Sequence, residues 1–261
     1  MQDEKRVVIL ALDGVYGKQK MIDTISTVMD GPMEPFMAYV KLNDGLHDRD
    51  GGPNVVDAIL GKYNGLGVFT DIKGFDVLGT IENICTRYGE AVSRMLMTIS
   101  VHSDVGVFKE LALQHSNLRV AAMVVPTDIS EEDFQYRYDM IPASAMQKWY
   151  GRLTDLYRRK CEMPEAYPTE LMIASKDMLR TVIENFPGVK PITPGVRDAW
   201  MVDPDHQKRT TGIYKALLAG SRYAVMGAQL LKGATGISAE ESRAKTAAEI
   251  TTYLNILCHE D

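Results

Sequence analysis

Short apolar runs alternate with amphipathic stretches from one end of the chain to the other. Residues 7–12, 37–42, 67–70, 95–100, 119–125, 170–174, 190–193 and 223–226 each read as a buried strand. They are brief, rich in Val, Ile, Leu and Met, and followed by turn residues. Between them, 21–29, 55–60, 81–88, 107–113, 178–183, 213–218 and 239–257 carry apolar positions at helical spacing. Eight βα alternations imply parallel strands joined by right-handed crossovers. A closed (β/α)8 barrel and an open doubly wound sheet both satisfy that pattern.

Length narrows the choice. The chain has 261 residues, close to the about 250 of one α/β barrel. A TIM barrel forming a single domain over residues 1–261 is therefore expected. One connection is oversized, from about 135 to 168 between the fifth and sixth strands. It holds Trp149, Tyr150, Tyr157, Arg158, Arg159 and Lys160 and reads as a helical insertion.

Composition removes several function classes. With 45% hydrophobic and 25% charged residues the chain has an ordinary globular balance. Its net charge of −6 argues against a nucleic-acid partner. Cys85, Cys161 and Cys258 are widely spaced and form no CxxC pair, so reduced thiols of a cytoplasmic protein are expected. The charged start and the lack of any apolar stretch near about 18 residues speak against a signal peptide or membrane span. The histidines (His47, His102, His115, His206, His259) lack HExxH spacing, so no metal is expected. No GxSxG elbow or Walker loop is present.

In a parallel barrel, chemistry gathers on the loops after the strands' C-terminal ends. Asp13 closes the first strand, Lys41 lies near the end of the second, and Asp71 and Lys73 lie at the end of the third. Asp71 and Lys73, two apart, project to the same side if the backbone is extended. Such a set is either a group of solvated strand-end charges or a patterned site, and three successive strands favour the latter.

The segment from Asp71 to Thr80 has the form D-x-K-x-x-D-[IV]-x-x-T, with Asp76 as its second acid. Thr193-Pro194-Gly195-Val196-Arg197 has the form T-P-G-[IV]-R, and Gln207-Lys208-Arg209 follows it. With Leu12-Asp13, Val40-Lys41-Leu42 and Ser100-Val101-His102-Ser103, these stretches resemble the orotidine 5′-phosphate decarboxylase family, in order and over most of the chain. The resemblance implies a homodimeric, cofactor-free carboxy-lyase of pyrimidine biosynthesis. Its catalytic array would be Lys41, Asp71 and Lys73 from one chain, with Asp76 and Thr80 from the partner. Lys73 would protonate C6 of the pyrimidine as CO2 departs, with Asp71 beside the scissile carboxylate. Asp13 and Lys41 would hold ribose hydroxyls, and Pro194, Arg197, Gln207 and Gly227 would approach the phosphate.

Two positions depart from that family. Its members carry Gly-Arg after strand eight, where this chain reads Gly227-Ala228-Gln229, losing a bidentate guanidinium beside the phosphate. Arg197, Arg209 and Lys232 are the candidates to replace it. After strand five, where the family has a serine facing the base, the chain reads Pro126-Thr127-Asp128-Ile129. Either Thr127 restores the hydroxyl or Asp128, an acceptor only when ionised, takes its place. The alternatives are a Mg-dependent sugar-phosphate decarboxylase or aldolase of the same barrel group and a non-catalytic nucleotide-binding homologue. The former places a glutamate ligand where Lys41 stands.

Overall fold

The computed structural model describes residues 5–258 apart from 48, 50, 116, 126–128, 162–170 and 202–210. Its strands are β1 (Val8–Ala11), β2 (Met37–Leu42), β3 (Gly67–Gly74), β4 (Met95–Ser100), β5 (Arg119–Met123), β6 (Leu171–Ile173), β7 (Lys190–Thr193) and β8 (Tyr223–Met226). They follow one another in sequence order around a closed barrel. The (β/α)8 reading is thus the observed fold, and the open-sheet alternative is set aside. By packing, the chain forms two compact units, Met1–Phe69 with Thr193–Asp261, and Thr70–Ile192.

In the first unit β1 pairs in parallel with β2 and with β8, and all three strands are buried along their whole length. Burial on both faces is why these strands read as continuous apolar runs rather than alternating ones. Helix α1 (Lys18–Met29) turns Met21, Ile22, Ile25 and Val28 inward, a stripe at helical spacing, and packs against α2 (Pro53–Lys62). Pro53 opens α2 after Gly52, whose φ of 65° suits glycine. The C-terminal half adds α8 (Ile213–Leu218), α9 (Ala228–Leu231) and α10 (Ala239–Leu257). Ser238 and Glu241 close a capping box at the start of α10, satisfying donors that the first turn leaves open.

In the second unit β4, β5, β6 and the start of β7 pair in parallel; α3 (Leu78–Tyr88) precedes β4, α4 (Val105–Gln114) joins β4 to β5, and α7 (Leu179–Asn185) joins β6 to β7. Between β5 and β6 the chain forms α5 (Glu131–Tyr138) and α6 (Pro142–Cys161). Aromatic contacts anchor this connection. Trp149 meets His102, at the end of β4, at 4.5 Å between ring centroids, and Tyr150 meets Phe186 at 4.8 Å. Tyr150 is fully buried, so α6 holds by packing as well as by its polar face.

The main departure from the sequence reading is β3, which continues past residue 70 through the motif to Gly74. Ser103 and the β4 packing explain this: its hydroxyl donates to the Gly74 carbonyl at 3.2 Å. A side chain at Gly74 would meet Ile99 at 2.9 Å, so glycine alone lets the strand lie this close. Among the described residues no helix is long and apolar enough to cross a membrane.

Candidate active site

At the end of β1 and β2, Ala11 lies opposite Lys41, and the Leu12 N–H donates to the Lys41 carbonyl at 3.2 Å. This register brings the Lys41 ammonium to Asp13, donating to Oδ1 at 2.7 Å. The lysine is buried and the aspartate is half-exposed. One loop further, Asp44 accepts from the Gly14 N–H at 3.0 Å and the Tyr16 hydroxyl at 2.9 Å. Burial pushes the Asp44 carboxyl up, but Tyr16, Gly14 and Gly45 outweigh it and hold the group below the usual carboxylate range. Asp44 thereby pins the loop that follows Asp13, a role the sequence pattern did not reveal.

The second cluster lies at the end of β3. Lys73 Nζ donates to Asp71 Oδ2 at 3.0 Å, and the Thr98 hydroxyl donates to Asp71 Oδ1 at 3.0 Å. The same hydroxyl accepts the Lys73 backbone N–H at 2.9 Å. Asp71 and Lys73 do meet, as their spacing implied, but the strand departs from the extended conformation at Lys73. Lys73 has a φ of 50°, in the left-handed region. For a residue with a Cβ that conformation costs about 1–2 kcal/mol, and here Thr98 holds the backbone in it. Thr98 is buried in β4 and was missed from the sequence. Its signal was visible: Thr98 and Ser100 are hydroxyls two apart in an otherwise apolar strand.

Asp76 accepts the N–H of its neighbour Val77 at 2.7 Å and is exposed. Thr80 lies in the first turn of α3. Phe75 and Val77, which flank Asp76, are exposed apolar side chains. Thr127 and Asp128 lie outside the described residues, as do Gln207 and Arg209.

The turns after β7 and β8 form a third cluster. Gly195 has a φ of 67°, and the Val196 N–H donates to the Val225 carbonyl at 3.2 Å, tying the Pro194–Arg197 turn to β8. A Cβ on Gly227 would lie 3.3 Å from the Ala11 carbonyl, so the backbone runs tightly past β1. Ala228 opens α9, and the next residue, Gln229, is buried rather than directed to solvent. Lys232 is exposed at the end of α9. Asp198 and Gln229 face each other in the interior beside a cavity of 500 Å³ that Arg197, Trp200, Tyr214 and Glu249 help to line. Among the described residues no three His, Cys, Asp or Glu side chains cluster as metal ligands would.

The parallel strands close an α/β barrel, a fold in which active sites are found on the loops after the strands' C-terminal ends. In sequence the chain is similar to the orotidine 5′-phosphate decarboxylase of Syntrophomonas wolfei subsp. wolfei, at 28% identity over 254 residues, spanning 92% of this chain and 96% of that one. Among solved structures it is similar to orotidine 5′-phosphate decarboxylase from Pyrococcus horikoshii, with a TM-score of 0.64 and 15% identity over 94% of this chain and 99% of that one. It is also similar to 3-keto-L-gulonate-6-phosphate decarboxylase from Vibrio cholerae, with a TM-score of 0.56 and 11% identity over 95% and 99%. No family model matches the chain. The resemblance to orotidine 5′-phosphate decarboxylases carried by the motifs therefore extends over nearly the whole sequence, and the solved structures share its fold.

Proposed function

We propose that this protein is a cytoplasmic decarboxylase that converts orotidine 5′-phosphate to UMP and CO2 without metal or cofactor. The observation that carries the reading is the Asp71–Lys73–Thr98 cluster, built on the D-x-K-x-x-D segment. Decarboxylation breaks the bond from C6 to the carboxylate and leaves the electron pair on C6, with no adjoining π system to take it. A fixed ammonium at that carbon is the most direct stabiliser, because it is oriented before the charge develops. Lys73 fills this role: it is held by Asp71 yet half-exposed, so its Nζ can reach a ligand. It transfers its proton to C6 as CO2 leaves and regains one from solvent.

Asp71 serves twice in this scheme. It holds the Lys73 ammonium, and its negative charge beside the substrate carboxylate is relieved when CO2 departs. Enzymic accelerations require about 8–23 kcal/mol of barrier reduction, more than one ion pair supplies. Binding of ribose by Asp13 and Lys41, and of phosphate by Pro194, Arg197, Gln207, Gly227 and Ala228, contributes the rest by positioning. Thr127 or Asp128 reads the base. Asp76 and Thr80 act across a homodimer, a role consistent with the exposed Phe75 and Val77 around Asp76.

The likeness to the Vibrio cholerae enzyme supports a second reading, metal-assisted decarboxylation of a sugar phosphate. Lys41 counts against it, since its ammonium would repel a divalent cation. A single assay separates the readings: loss of orotate absorbance from orotidine 5′-phosphate in excess EDTA. Turnover supports the metal-free reaction. No turnover, with decarboxylation of a sugar phosphate on adding Mg2+, overturns it. A protein that binds the nucleotide and turns over neither substrate is the non-catalytic homologue.

A further inference from the structure

The turn after β7 and the start of α9 are joined by a two-point contact between Asp198 and Gln229, 31 positions apart. The Asp198 backbone N–H donates to Gln229 Oε1 at 2.8 Å, and Gln229 Nε2 donates back to Asp198 Oδ2. Gln229 Nε2 also donates to Thr246 on α10 at 2.8 Å. The other carboxylate oxygen, Oδ1, accepts the Ile213 N–H at the start of α8 at 2.9 Å. Asp198 is 2% exposed and Gln229 is 0% exposed. Gly212 is part of the arrangement, since a Cβ there would lie 2.5 Å from Asp198 Oδ1. One carboxylate and one amide thus join the turn after β7, the start of α8, and the segment after β8, while α10 holds the amide from behind.

These segments carry Arg197, Gly195 and Gly227. Position 228 is alanine, so no guanidinium extends from it to a ligand. A long, flexible cation tolerates a loose scaffold because it adjusts to its ligand. Backbone groups and a single arginine on a short turn bind an anion well only where the turns are already fixed. An amide suits the fixing role because it donates and accepts at once, which neither a carboxylate nor an ammonium does.

We propose that Asp198 and Gln229 are positioning residues, a buried clasp that takes over from the absent guanidinium at 228 by holding Arg197 and the Gly195 and Gly227 backbone in place for a phosphate monoester. The inference rests on the phosphate-binding part of the proposed function and not on the decarboxylation step. Gln229→Leu keeps the volume and removes both amide contacts. Asp198→Asn keeps the shape but leaves one oxygen to accept where the Ile213 N–H, the Gln229 amide and the Glu249 carboxyl all point.

The test uses the full-length protein, with calorimetric titration of UMP and of uridine and steady-state kinetics on orotidine 5′-phosphate. Both variants should weaken UMP about tenfold or more, as loss of hydrogen bonds to a charged group does. Uridine affinity should be unchanged, KM should rise with UMP dissociation, and kcat should hold. If Gln229→Leu does not fold, Asp198→Asn carries the test. Equal weakening of UMP and uridine, no weakening of either, or a native protein that binds no UMP overturns the clasp. UMP binding that depends on the clasp without turnover of orotidine 5′-phosphate removes the proposed reaction and leaves the clasp standing.

Discussion

Two lysine–aspartate pairs stand at the strand ends, and their exposures are inverted. In Lys41–Asp13 the lysine side chain is 10% exposed and the aspartate 56%. In Lys73–Asp71 the lysine is 47% exposed and the aspartate 13%. A buried ammonium held from outside is a fixed charge, suited to holding hydroxyl groups in one geometry. An exposed ammonium held by a buried carboxylate is oriented yet still open to a ligand, as a proton donor must be. The backbone agrees: Lys41 lies within the regular β2 ladder, whereas Lys73 is held at a left-handed φ by Thr98. Strain of that kind collects at functional sites, and here it lies under the residue assigned the proton transfer.

The inversion predicts different responses to removing each lysine. Lys73→Ala should lower kcat by about a hundred- to ten-thousandfold or more, with thermal unfolding checking that the variant is folded. Lys41→Met should act chiefly through KM. Equal effects of the two substitutions on kcat would erase the distinction between fixed charge and proton donor.

Next in size is complementation. Asp71→Ala and Asp76→Ala are each expected to be inactive, and mixing them should restore turnover, because one of the two sites in a mixed dimer keeps both acids. Proven subunit exchange without recovery would leave Asp76 outside the site.

Thr98→Val tests the support beneath the second pair. It removes a buried donor to Asp71 and the acceptor of the Lys73 N–H. We expect a loss of about 1–3 kcal/mol in denaturant unfolding and a fall in kcat of up to about a hundredfold, less than for Lys73→Ala. Unchanged kcat would detach the strained backbone from catalysis.

The smallest effect is on pH. Burial, the Asp198 charge and a hydrogen bond shared with Asp198 raise the Glu249 carboxyl above its ordinary 4.5, against the lowering influence of Trp200 and the Tyr214 N–H. The stability this contributes is present below 4.5 and is lost as pH rises through the raised value. Glu249→Gln keeps a hydrogen-bond donor without the developing charge. It should therefore gain on the native protein above that window and match it more closely in acid, read as unfolding temperature against pH. A constant difference across pH would remove the carboxyl contact as its source. Unlike the lysine–aspartate pairs, this contact weakens once both partners are charged.

Most of the architecture was legible in the order of residues, because burial on both faces writes a strand as an apolar run and helical stripes recur at a fixed spacing. The residue types at the strand ends were equally plain, and Asp13, Lys41, Asp71 and Lys73 stand at the ends of β1, β2 and β3 as read. The helix over 131–138 was less plain: it keeps one buried side chain, Phe134, too little for a stripe. The arrangement of the chemistry was decided elsewhere. The spacing puts Asp71 and Lys73 on one side if the backbone is extended, but the Thr98 hydroxyl, 25 positions on, holds Lys73 left-handed. Gln229 read as the neighbour of a missing arginine, yet its amide is claimed by Asp198 and Thr246. Periodicity follows from local burial and so survives in one dimension. Which hydroxyl meets which carboxylate depends on contacts between distant segments, and these exist only once the core has formed.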